Sequence, residues 1–148
     1  MASITKIIGI GSPFGVDTLG WQVIDALADM ELPDTVILEK LDRPGVHLLE
    51  HLKNCERVIL VDAVISDDPV GTVYELSGDE IAQINPHTSS HDFGLADTLA
   101  LGKALNQPLP EIWFVGMHVS AQEIQPSARR IEPCVDKIVA LMTHQEAQ

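Results

Sequence analysis

Three side chains in this 148-residue chain, Asp17, Asp62 and His91, form the set best suited to chemistry. Two carboxylates and one imidazole make a borderline-hard donor set for zinc, nickel or a similar divalent ion, with positions left open for water or substrate. Each has a plainer role when taken alone: Asp17 and His91 at helix starts, Asp62 as a cap for the loop after it. Asp62 stands out because a carboxylate interrupting an apolar run is costly to bury without a partner.

Other chemistries leave weaker traces. Gly9 to Ser12 (GIGS) begins like a dinucleotide-binding turn, but Phe14 stands where the third glycine of GxGxxG belongs, so no organic cofactor is indicated. Neither a phosphate-binding P-loop nor a GxSxG nucleophile elbow occurs. Cys55 and Cys134 form no CxxC pair and neither adjoins a histidine, which suits two reduced structural cysteines and leaves covalent catalysis without a candidate. His87 precedes His91 by four residues, but Pro86 and the run Thr88-Ser89-Ser90 argue against one continuous helix through both. His118 is expected in the loop after the last strand, near enough to the same edge for a supporting or substrate-contacting role.

The elements that must position these residues alternate. Lys6 to Gly11 is an apolar strand, followed by a turn and a helix from Thr18. Thr35 to Leu38 reads as a second strand and Val46 to Leu52 as a short helix. Arg57 to Val64 is the strongest strand signal, interrupted only by Asp62 near its end. After the Asp67-Asp68-Pro69 turn, Gly71 to Leu76 alternates as a strand at or near a sheet edge, and the segment behind it reads as loose. A helix from Asp92 to Leu105, a last strand from Glu111 to Met117 and a final helix from Pro126 to Met142 complete the chain. Such alternation calls for an α/β fold, a mostly parallel twisted sheet with helices on both faces in three layers. Ligands of such sheets bind beyond the carboxyl ends of the strands, where strand order reverses, and all three candidate residues can reach that edge.

Length fits a single domain spanning 1–148, and 45% hydrophobic against 21% charged residues suits a packed core. Nine basic against 22 acidic residues give a net charge of −13, which repels nucleic acid and anionic membranes and favours a basic peptide, a basic protein patch or a divalent cation. The amino terminus reads as a first strand rather than a signal peptide, and no apolar run approaches the ~18 residues of a membrane span. A soluble, cytoplasmic monomer is expected.

The motifs resemble those of the nickel-iron hydrogenase maturation endopeptidases. Gly9 to Trp21 (GIGSPFGVDTLGW) is similar to their amino-terminal motif, Val61 to Val64 (VDAV) to their central one, and Ser90 to Leu99 (SHDFGLADTL) to their histidine followed by GLAD. The resemblance covers about Lys6 to Leu141. Within it, Ser12 replaces the usual asparagine, Val16-Asp17 an acidic pair, and Thr18 the glycine that follows. The resemblance implies a five-stranded sheet and a metal site, also the catalytic site, made by Asp17, Asp62 and His91. It further implies an endopeptidase that removes the carboxy-terminal extension of a hydrogenase large subunit precursor after nickel insertion, the nickel being supplied by that precursor. Two other readings fit the same residues: a non-catalytic nickel-checking assembly protein and a general small-molecule metallohydrolase.

Overall fold

The computed structural model describes residues 3–12, 18–84, 95–119 and 128–146. Its elements are β1 (Thr5–Gly11), α1 (Leu19–Ala28), β2 (Val36–Asp42), a 3-10 turn (Gly45–His47) running into α2 (Leu48–His51), β3 (Arg57–Val64), β4 (Val73–Ser77), α3 (Gly78–Ile84), α4 (Leu95–Ala104), β5 (Glu111–His118) and α5 (Ala128–Glu146). The five strands form one sheet in the order β2-β1-β3-β5-β4, parallel except for β4, which runs antiparallel to β5 at one edge. The α/β architecture expected from the alternation is therefore present, with β4 at the sheet edge as its alternating pattern suggests.

Period-two alternation along the central strands divides the core. Ile59, Val61 and Ala63 of β3 face α1 and α5, where Leu19, Val23, Ile24, Leu27, Ile131, Cys134 and Ile138 pack on them. Val58, Leu60 and Val64 face the opposite layer, which supplies Leu48, Leu49, Ile81, Leu95 and Leu99 from α2, α3 and α4. With both faces covered, all eight residues of β3 are buried, which is why the strand reads as a nearly continuous apolar run.

Two elements differ from their sequence reading. β2 continues through Glu39 to Asp42 because its charges find partners: Glu39 pairs with Lys6 at 3.3 Å and His51 at 3.0 Å, and Lys40 with Asp25 at 2.9 Å. The segment after β4 is not loose but begins α3. There the Ser77 hydroxyl accepts the Glu80 amide at 3.3 Å and the Glu80 carboxylate accepts the Ser77 amide at 3.0 Å, a reciprocal capping box.

Both cysteines are free thiols. Burial against the α1 layer pushes the Cys134 thiol from its ordinary 9.0 up to about 12. Because the folded value is raised, the unfolded chain loses its proton first. Folding stability is therefore unaffected by this group below pH 9 and falls between pH 9 and 12, by on the order of 4 kcal/mol in total. Urea unfolding at about pH 8 and about pH 11 checks this; Cys134→Ala is expected to lose less stability between the two than the wild type.

Candidate active site

Strand order reverses between β1 and β3: the chain leaves β1 for β2 on one side, then crosses back to β3 on the other. The carboxyl ends of these two neighbours bound the crevice where open parallel sheets hold ligands. Asp62 lies there, sixth of the eight residues of β3 and fully buried. It shares the face of Leu60 and Val64, towards the layer of α2, α3 and α4. Its Oδ1 accepts the Ala63 amide at 2.7 Å. On β5 its Cα partner is Gly116, where a Cβ would sit 2.5 Å from Val64 Cγ2 and 2.6 Å from Phe114 Cε2. Val64 and Phe114 thus crowd the strand beside the position opposite Asp62.

Asp17, His87 and His91 lie outside the described residues. Residues 13–17 join the carboxyl end of β1 to α1, and residues 85–94 join α3 to α4. The α4 helix leads through 105–110 into the amino end of β5, so it runs down from the carboxyl edge and begins on the face that Asp62 shares. Among the described residues no group of three or more His, Cys, Asp or Glu side chains gathers to hold a metal. Asp62 fits a hard divalent ion by donor chemistry, as an anionic oxygen ligand in buried surroundings.

His118 is the last residue of β5 rather than a loop residue, only 8% exposed and paired with Val64 two steps beyond Asp62. Its Nδ1 accepts the Ser66 amide at 3.0 Å. The Ser66 hydroxyl lies 3.4 Å from the same nitrogen, a pairing that resembles a serine nucleophile and its base. The arrangement argues otherwise. The amide already occupies the Nδ1 lone pair, and the hydroxyl lies 2.6 Å from the Tyr74 hydroxyl. Sequence reasoning did not find Ser66 or Tyr74, since an eight-residue separation across a turn gives no periodic signal. A cavity of about 750 Å³ opens at the opposite edge between Leu52, Cys55, Glu56, Pro108 and Pro110, away from Asp62.

A family model described as hydrogenase maturation protease (HycI) matches residues 22–145, a span that includes Asp62 and His91 and begins beyond Asp17. The chain belongs to this family. The hydrogenase 2 maturation protease of Escherichia coli is 26% identical over 145 residues, covering 92% of this chain and 88% of that protein. In structure, the hydrogenase maturating endopeptidase HybD of E. coli matches with a TM-score of 0.80 at 23% identity, over 96% of this chain and 93% of that one. The NiFe hydrogenase maturation protease HybD of Thermococcus kodakarensis matches with a TM-score of 0.65 at 21% identity, over 96% and 98%. A hydrogenase maturation protease hydrolyses a peptide bond, and the fold of this chain carries Asp62 to the carboxyl edge of the sheet, where open parallel sheets bind ligands. Among the described residues no helix is long and apolar enough to cross a membrane.

Proposed function

We propose that this hydrogenase maturation protease removes the carboxy-terminal extension of a hydrogenase large subunit precursor in the cytoplasm, and that it recognises nickel already bound in that precursor. The observation that carries the proposal is Asp62: a fully buried carboxylate at the carboxyl end of the central strand, in a chain whose family is the maturation proteases. Asp17 and His91 join Asp62 as ligands in this reading, from segments attached to the carboxyl end of β1 and to the start of α4. The metal is part of the substrate, so the protease supplies the incomplete half of a ligand shell that only a loaded precursor completes. Nickel beside the scissile bond would polarise its carbonyl or activate a water, which accounts for hydrolysis without a protein nucleophile. A net charge of −13 favours approach of a cation and of basic surface around it.

Whose metal the site uses can be tested directly. Protease stripped with chelator and then freed of it is expected to release the carboxy-terminal peptide from nickel-loaded precursor at an unchanged rate, as read by mass spectrometry. A stripped protease that stays inactive until metal is restored would show that the metal is resident, and no release under either condition would remove the proposed activity.

A further inference from the structure

The chain that leaves β3 after Asp62 must pass over the end of β5 to reach β4 on its far side, so residues 65–72 form an arch across the carboxyl edge. His118 stands under that arch and binds it at both ends. Its backbone carbonyl accepts the Gly71 amide at 2.9 Å and its own amide donates to the Thr72 carbonyl at 2.8 Å. At the near end its ring takes the place of a strand carbonyl, since Nδ1 accepts the Ser66 amide at 3.0 Å. This contact leaves Nδ1 without a proton, so the neutral ring carries its hydrogen on Nε2.

Within the arch a second set of bonds closes the turn. The Tyr74 hydroxyl donates to the Asp68 carboxylate and meets the Ser66 hydroxyl, which also accepts the Asp68 amide at 3.2 Å. Thr72 bonds the Pro69 carbonyl through both its hydroxyl, at 2.6 Å, and its amide, at 3.1 Å. A loop held this way loses little further entropy on binding. It also carries Ile65 and Val70 with nearly half of their surfaces exposed, beyond the strand that carries Asp62 and ends at Val64. Two apolar side chains fixed next to a buried carboxylate suit an extended peptide that lies across the edge with its scissile bond at Asp62.

We propose that His118 is a positioning residue for peptide cleavage: by pinning both ends of the 65–72 arch it holds Ile65 and Val70 as a rigid apolar lip for the precursor's carboxy-terminal segment. This rests on the function proposed above. The arch makes the same contact to bound peptide in the ground and transition states, so its loss raises KM rather than lowering kcat.

The test compares wild type, His118→Ala and His118→Asn, whose amide oxygen can accept the Ser66 amide as Nδ1 does, with Tyr74→Phe as a variant that leaves the ring contact untouched. On nickel-loaded precursor, His118→Ala is expected to raise KM about tenfold with kcat within about twofold, His118→Asn to return KM to within about threefold of wild type, and Tyr74→Phe to fall between them. Amide exchange should show faster exchange at Ser66 in His118→Ala, with Gly71, whose amide binds the backbone carbonyl of residue 118, and β3 still protected. An unchanged KM in both His118→Ala and Tyr74→Phe, or no rescue by asparagine in a folded protein, would overturn the inference while leaving the protease reading intact. A wild type that cuts no loaded precursor would fail that reading instead, and unchanged exchange at Ser66 would then also dismiss the pinning.

Discussion

Asp62→Asn is expected to lower kcat/KM for the nickel-loaded precursor by about 1000-fold or more while leaving the fold intact. The substitution removes the charge and keeps the side chain's shape, and the amide oxygen can still accept the Ala63 amide that Oδ1 binds at 2.7 Å. What disappears is the anionic ligand of the proposed site. Stabilisation of transition-state charge through a metal is worth several kcal/mol, and each 1.36 kcal/mol is tenfold in rate. Loss of activity with an unchanged melting temperature would separate a chemical role from a structural one. An equally active Asp62→Asn would leave the carboxylate as a cap for the loop.

The second large effect is on folding. Gly20→Val is expected to cost about 3 kcal/mol or more, a large share of the roughly 5–15 kcal/mol that holds a domain together. A Cβ on Gly20 would lie 2.4 Å from the Ile10 carbonyl oxygen and 2.8 Å from that of Val61, so the obstacle is the backbone of β1 and β3 rather than a side chain that can turn away. Gly9 repeats the problem from the other side, with its added Cβ 2.4 Å from the Gly20 carbonyl oxygen. Even Gly20→Ala, which gains about 1 kcal/mol of helix propensity, should be destabilising, because α1 must lift off the sheet to make room. Urea denaturation of both variants checks the magnitude. Wild-type stability in Gly20→Ala would mean that α1 sits more loosely than these distances allow.

This contact shows what the sequence could and could not convey. GIG was legible as a tight strand ending, but its use, to let α1 approach, needs Gly20, eleven positions after Gly9 and outside any local pattern. The glycine beside the first acidic motif was sought at position 18, where Thr18 stands, whereas the close approach falls on Gly20. β3 was readable from end to end because two covered faces demand apolar residues at both parities, and Asp62 was conspicuous by breaking that demand. β2 was read short because its last residues are charged, and only the fold reveals Lys6, His51 and Asp25 as their partners. α3 has a sequence signal of its own, the spacing of Ser77 and Glu80 that forms its capping box.

The candidate site divides along the same line. Topology places the carboxyl end of β1 and the start of α4 at the edge where Asp62 lies. Spacing along the chain carries no distance between side chains, and Asp17, Asp62 and His91 are ligands by proposal. His118 could be read from sequence only as a residue near the edge. Its bond to the Ser66 amide depends on the arch closing over β5, which no periodicity encodes.

The central claim, nickel-dependent removal of a precursor's carboxy-terminal extension, is tested most directly by one intact-mass measurement on the large subunit precursor, nickel-loaded or nickel-free, after exposure to the wild-type protein. The expected result is loss of a carboxy-terminal peptide from the loaded precursor alone. Full-length mass in both samples, or the same loss from both, would contradict it.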